Sequence, residues 1–229
     1  RALEYPELTA ILAEPDKDII DNQDGLYGTK SDFVFHDRLV VKRYNVRKPR
    51  DAFLDMIRPK KATFAFRKAR FLEDLGLPVA LALAYGVAPR RGLIQHSHLI
   101  MQRVIEASTY DGFFSAGGDR TRAQMLGKMI GKIHGNGLRH RDLRSENLLE
   151  DAQGNFYFID MEGIRLQISP KPDRVLRDLH GLYRNFSRFE AKPSPGVLST
   201  FWRSYLREQP KKNRPAFIKA RRVLFGGRR

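Results

Sequence analysis

Apolar positions recur along this chain in two rhythms. Through the first hundred residues they form short runs broken by turn residues; beyond that they return every three or four positions. Residues 1–15 read as a short amphipathic helix or arm, and 21–28, DNQDGLYG, as a turn cluster. Residues 30–35 and 39–44 read as two strands folded around His36-Asp37-Arg38. Residues 62–75 carry Phe64, Phe66, Phe71, Leu72 and Leu75 at helical spacing, with Gly76 as a stop. Leu77-Pro78-Val79 opens an extended stretch that continues through 81–87, and 98–104, HLIMQRV, reads as a further strand.

After a glycine-bearing loop at 112–118, Asp119 or Thr121 can cap a helix over 122–134, with Met125, Leu126, Met129, Ile130 and Ile133 as its apolar face. Leu148-Leu149 and 156–159 read as short strands joined by the turn residues 151–155, and 173–186 and 195–206 as further helices. Strands therefore dominate the first part and helices the second. That segregation predicts an α+β molecule of two lobes, 1–103 rich in strands and 104–229 helical, with a cleft between them and a hinge at 102–106.

Composition narrows the classes. The chain has 229 residues, 41% of them hydrophobic, enough for a core, and no cysteine, which removes disulfides, thiol nucleophiles and Cys-ligated zinc. No apolar run approaches the roughly 20 residues that span a bilayer, and RALEYPELTAILAEPD mixes charges into its apolar positions, unlike a secretory leader. The formal net charge is +16. One basic stretch runs over 42–70, and residues 199–229 hold ten Lys and Arg against Glu208 alone. Such a field favours anionic partners, and near an acidic membrane each basic residue contributes about 1 kcal/mol. No nucleic-acid motif accompanies the charge. An anionic glycolipid or an acidic membrane surface is therefore expected, and no specific nucleic acid.

The densest chemistry lies in 138–163, LRHRDLRSENLLEDAQGNFYFIDMEG. Asp142 stands in a polar loop, where it can take a proton from an attacking hydroxyl. The predicted hairpin folds Asp160 back towards Asn147, thirteen positions earlier, so two oxygen ligands converge at its open end. Such a pair suits a hard cation such as Mg²⁺. A base, then an Asn, then an Asp in this order is what phosphoryl transfer from Mg-ATP requires. In the same reading the backbone at Gln102 would receive the adenine edge.

HRDLRSEN followed by IDMEG resembles the catalytic and metal loops of the protein-kinase-like superfamily. The wider set VVKRYN, FRKARFLEDLGLPVALALAYG, IGKIHGNGLRHRDLRSENLL and RDLHGLYRNF, between residues 40 and 187, is most similar to the bacterial lipopolysaccharide kinase (Kdo/WaaP) family. The resemblance implies a bilobal kinase fold with ATP between the lobes. It makes Asp142 the catalytic base, Arg144 a group steadying the transferring phosphate, and Asn147 and Asp160 the Mg²⁺ ligands. Lys42 becomes the phosphate-pairing lysine, and Gly25 and Gly28 the glycine-loop region, although DGLYGTKS is not G-x-G-x-x-G. His140 is expected to pack beneath the loop, and Asp178 either to bond the loop backbone from a helix or to stand as a simple charge in that helix's N-terminal turn. Two departures stand out. Lys68 occupies the place of the helix acid that usually pairs the lysine, so either Glu73 or another acid serves, or Lys42 lacks its usual partner. The metal loop reads Asp-Met-Glu-Gly rather than Asp-Phe-Gly.

The function so implied is an ATP-dependent kinase for a heptose or Kdo hydroxyl of the lipopolysaccharide inner core, working at the cytoplasmic face of the inner membrane. The alternatives are a kinase for a protein or other small molecule, and an inert kinase-fold binder of anionic partners. There is no Ala-Pro-Glu motif and little room for an activation segment between Gly163 and Asp178, which argues against a regulated protein kinase.

Overall fold

A computed structural model describes residues 4–15, 25–26, 31–45, 61–90, 93–105, 107–109, 119–167, 172–186 and 193–225. The chain divides into two compact units, 1–105 and 106–229.

In the first unit α1 (Glu7–Ala13) precedes β1 (Ser31–Phe35) and β2 (Leu39–Asn45); α2 (Lys61–Asp74), β3 (Ala82–Arg90) and β4 (Leu93–Gln102) follow. The four strands form one antiparallel sheet in the order β1-β2-β4-β3. Side chains alternate between its faces. Val34, Val41 and Ile100 are cross-strand partners on one face and pack with Leu39 against Tyr5, Leu8 and Ile11 around α1. Phe33, Lys42, Leu99 and Tyr85 are likewise register partners, on the other face. Tyr85 meets Phe66 of α2 with ring centroids 5.1 Å apart, so α2 covers the face that carries Lys42.

The buried stripe of α2 is not the phenylalanines that its spacing suggested. Ala62, Ala65, Ala69 and Leu72 are buried, whereas Phe64 and Phe71 are exposed. Small side chains let the helix axis approach the sheet closely. Phe64 instead lies under the Lys68 ammonium, 4.3 Å from the ring centroid.

The second unit holds β5 (Ser108–Thr109), α3 (Arg120–Gly135), β6 (Leu138–His140), β7 (Leu148–Glu150), β8 (Phe156–Phe158) and β9 (Ile164–Leu166). Helices α4 (Pro172–Phe186), α5 (Pro195–Arg207) and α6 (Arg214–Phe225) complete it. Asp119 caps α3 by accepting the Thr121 N–H at 2.6 Å. Ser194 caps α5 by accepting from Val197 N, with Pro195 opening the first turn.

Helices α3 and α5 pack tightly because Gly127, Gly131 and Gly135, four apart on α3, face the backbone of α5. A Cβ on Gly131 would lie 2.9 Å from the Tyr205 carbonyl oxygen, and one on Gly127 would collide with that of Phe201. Leu126, Ile130 and Ile133 are buried beside this stripe, and each such side chain contributes about 1.5–3 kcal/mol on burial. Tyr205 joins Trp202 and Phe217 in edge-on contacts, which tie α6 to α5. Helix α6 has no counterpart among the elements predicted above, where its stretch registers only as charge.

Candidate active site

Two short strand pairs build the site in the second unit. In β7–β8, Leu148 pairs with Phe158, and the N–H of Ile159 donates to the Asn147 carbonyl at 3.1 Å. The turn is closed by Asp151, whose carboxylate accepts from Asn155, Gln153 and the Tyr157 hydroxyl. Asn147 and Asp160 therefore flank the open end of this hairpin. In β6–β9, Leu138 pairs with Leu166 and His140 with Ile164. That pairing brings the loop after β6, with Asp142, alongside the loop before β9, with Asp160.

Gly163 seals the junction. The Arg141 N–H donates to its carbonyl at 3.1 Å. A Cβ on Gly163 would lie 3.0 Å from the His140 ring, so a larger residue would press on that buried ring. His140 is fully buried and stacks on Phe158 at 5.8 Å, and Met161 is buried at the position Phe was expected to fill. Asp160 holds φ 59°, ψ 61°, the one described non-glycine residue at positive φ. This left-handed geometry costs on the order of 1–3 kcal/mol and is a strain typical of functional loops.

Asp142 and Arg144 form an ion-paired fork: Nη2 donates to Oδ2 at 2.7 Å, and Nε lies 2.7 Å from Oδ1. The Arg144 guanidinium is pushed further up in pKa, first by this hydrogen bond, against some desolvation, with the charges of Asp142, Glu146 and Asp160 adding. Asn147 Nδ2 donates to the Asp142 carbonyl oxygen at 2.7 Å. Committing the amide nitrogen to the loop turns Oδ1 away from that bond, where it can ligate a cation. Among the described residues no group of three His, Cys, Asp or Glu is placed to hold a metal. An ion here would complete its shell with phosphate and water, as Mg²⁺ does when bound through one or two side chains. The residues present fit that ion.

Asp178, on α4, does not bond the loop backbone as expected. Its carboxylate takes the Arg139 guanidinium in a second fork, Nε to Oδ2 at 2.9 Å and Nη2 to Oδ1. Burial raises its pKa despite the hydrogen bond and charge of Arg139. His134 lies 3.8 Å from Asp178 and 3.0 Å from the Tyr205 hydroxyl. Burial first, then the charges of Arg139 and His140, lower its pKa to about 3, so it is neutral.

The remaining expected residues lie in the first unit. Lys42 is buried, its ammonium 4.8 Å from the Tyr44 ring centroid and 5.4 Å from that of Phe33. Glu73 is engaged by Arg70 at 2.6 Å. Gly25 precedes Leu26, which bridges Phe33 and so extends the sheet beside Lys42; Gly28 lies outside the described residues. The N–H groups of Gln102 and Arg103 donate to the carbonyls of Leu81 and Arg38, so an adenine edge would have to draw its donor from beyond Arg103.

Comparison with known proteins bears on the family and the fold. The family model described as "Lipopolysaccharide kinase (Kdo/WaaP) family" matches residues 38–220. A 3-deoxy-D-manno-octulosonic acid kinase of Xylella fastidiosa (strain 9a5c) is 29% identical over 134 residues, 58% of this chain and 53% of that protein. One of Xanthomonas oryzae pv. oryzae (strain PXO99A) is 31% identical over 151 residues, 62% of this chain and 60% of that protein. The chain thus spans little more than half the length of these curated relatives. The solved structure of WaaP in complex with acyl carrier protein superimposes with a TM-score of 0.60, at 16% identity and covering 93% of both chains. The fold is accordingly α+β and protein-kinase-like.

Proposed function

The chain belongs to the lipopolysaccharide kinase (Kdo/WaaP) family, and from that membership we propose that it transfers the γ-phosphate of ATP to a hydroxyl of Kdo in the lipopolysaccharide inner core. The observation that carries the reading is the junction in which Asn147 bonds both the Asp142 carbonyl and the backbone of Ile159. It supports the reading by joining the loop that carries Asp142 to the hairpin flanked by Asn147 and Asp160. Kdo is favoured over heptose because the relatives at 29% and 31% identity are named as Kdo kinases.

In this mechanism Asp142 orients the acceptor hydroxyl and receives its proton as the oxygen bonds to the γ-phosphorus. The bond from that phosphorus to the β–γ bridging oxygen breaks, and ADP leaves. Arg144 holds the Asp142 carboxylate and offers positive charge to the transferring group. Asn147 and Asp160 would hold Mg²⁺, which supplies charge neutralisation on the phosphates. Lys42 would pair with the phosphates, with the Gly25 turn nearby. Catalysis is then mainly positioning and electrostatics.

No helix among the described residues is long and apolar enough to cross a membrane. We assign the basic C-terminal stretch to the acidic headgroups of the cytoplasmic face of the inner membrane. The test is Mg²⁺-dependent transfer of labelled γ-phosphate to dephosphorylated Kdo-containing core, beside a protein substrate. Label on the core that disappears in Asp142→Asn supports the proposal. Label on the protein alone would replace it with a protein kinase.

A further inference from the structure

A cavity of about 880 Å³ opens beside Asp142, and every described residue lining it belongs to the second unit. Its volume falls within the roughly 300–1,000 Å³ of small-ligand sites. Seven of those residues are arginines and two are aspartates, an excess of five positive charges. Both aspartates are already forked, Asp142 by Arg144 and Asp178 by Arg139. The excess therefore rests on guanidiniums beyond those two pairs. An excess of like charge around one hollow favours an anion there, and guanidinium suits carboxylate and phosphate through paired hydrogen bonds.

One wall of the cavity is a face of α4. Arg174, Arg177, Gly181 and Arg184 recur there at intervals of three and four, so they stand in one row. Gly181 is the second independent observation. It lies inside the helix, yet a Cβ there would meet nothing within 4 Å. Glycine in a helix interior costs about 1 kcal/mol relative to alanine, and at this position packing does not call for it. What the missing side chain does is keep the centre of the arginine row open to the cavity.

We propose that this cavity is the acceptor site and that it selects acceptors bearing two or more acidic groups besides the reacting hydroxyl, held by Arg174 and Arg177 on α4 and by Arg141 beside Asp142. The anion binding stands on the cavity itself; its role as acceptor site rests on the kinase reading above. Charge within reach of the base thus selects the substrate, separately from the basic C-terminal stretch.

The test measures binding and turnover side by side on the whole chain. A Kdo disaccharide, the same disaccharide with its carboxyls reduced to alcohols, and inorganic phosphate are titrated calorimetrically. Loss of the carboxyls, or the double change Arg174→Gln with Arg177→Gln, is expected to weaken the disaccharide at least about tenfold, since hydrogen bonds to charged groups are lost. Gly181→Met should do the same without lowering the melting temperature, because it fills the cavity while improving helix propensity. Each of these variants should raise KM for the core acceptor and leave the Kd for ATP unchanged. Phosphate displacing the disaccharide with higher affinity supports the site and assigns it to the phosphate groups of the core. Equal binding of the acidic and reduced disaccharides would overturn the proposal. So would a double variant no weaker than Lys61→Gln with Lys128→Gln, which removes the same charge elsewhere. Binding that survives while no core acceptor is ever phosphorylated would overturn the kinase reading and the acceptor role together, and leave an anion site.

Discussion

Arg144 grips Asp142 through both carboxylate oxygens, at 2.7 Å to each. The fork fixes the rotamer of Asp142; Oδ2 also accepts from Asn147 Nδ2 at 3.4 Å, and Oδ1 keeps a lone pair for the hydroxyl of the proposed reaction. In the proposed reaction the fork also leaves Arg144 beside the point where phosphate charge would shift. Arg144→Met, which keeps the length and removes the charge, is expected to lower kcat on the core acceptor by about 10²-fold, the usual loss for one preorganised charge donor. Arg144→Lys should recover only part of this, because an ammonium cannot reproduce the fork. Steady-state kinetics with kcat and KM separated decides the matter. A wild-type kcat in Arg144→Met would reduce the pair to a loop strut.

Asn147 is asked to do two things at once. Its nitrogen donates to the Asp142 carbonyl at 2.7 Å, and in the proposed reaction its oxygen would hold the ion. Asn147→Asp keeps an oxygen ligand but loses the donor; Asn147→Ala loses both. The alanine variant should therefore raise the Mg²⁺ concentration for half-maximal activity by about 10- to 100-fold, and the aspartate variant by less, as changes around metal ligands do. Both should lose about 1 kcal/mol of stability with the loop bond. Titrating Mg²⁺ at fixed ATP gives the order. If the two variants match wild type in Mg²⁺ requirement, Asn147 is no ligand.

The hairpin of the candidate site was legible because its folding is local. The turn residues 151–155 and the flanking apolar runs fold Asp160 back to Asn147 without help from the rest of the chain, and the backbone bond between Ile159 and Asn147 realises that fold. What escaped was tertiary. Strands β6 and β9 are only three residues each, too short for any periodicity, yet their pairing joins the two loops. Phe64 and Phe71 drew attention on α2 as the larger apolar groups, while the sheet selected the smaller alanines. The row of Arg174, Arg177 and Arg184 was visible in RVLRDLHGLYR as a helical spacing. It acquires meaning only once the cavity is seen to lie against it. The spacing of Gly127, Gly131 and Gly135 could likewise have announced a close helix crossing, but α3 was read for its apolar face alone.

That crossing is a strict one. The glycines of α3 meet backbone carbonyls of α5, which cannot rotate away as a side chain would. Gly131→Ala is expected to destabilise the protein by about 1–3 kcal/mol, the range for overpacking, even though alanine is the better helix former by about 1 kcal/mol. Gly76→Ala is not a fair comparison, since φ there is positive. Gly181→Ala, also inside a helix but facing open space, should be neutral or stabilising. Urea unfolding of the two variants beside wild type checks the contrast. Equal effects would mean that α3 and α5 can separate without loss.

His134 makes the stability of the second unit depend on pH. Buried against Tyr205 and Asp178, with the charges of Arg139 and His140 also near, it titrates at about 3 when folded; unfolded, it takes a proton near the usual 6.5. Above that value both states are neutral and the group contributes no slope. As pH falls from about 6.5 towards 3, the unfolded chain binds a proton that the folded chain refuses, so stability falls by up to about 1.4 kcal/mol per pH unit. Asp178 works in the opposite sense. Its folded pKa is raised by burial, so its contribution is full at low pH and lost as pH rises through that value, which makes the slope shallower at the acid end. Urea midpoints at about pH 7, 6 and 5 should therefore decline for wild type. In His134→Gln, which keeps a neutral hydrogen-bonding side chain, the decline should be visibly flatter, whatever the absolute stability of the variant. Parallel slopes for the two proteins would show that His134 is not the residue responsible.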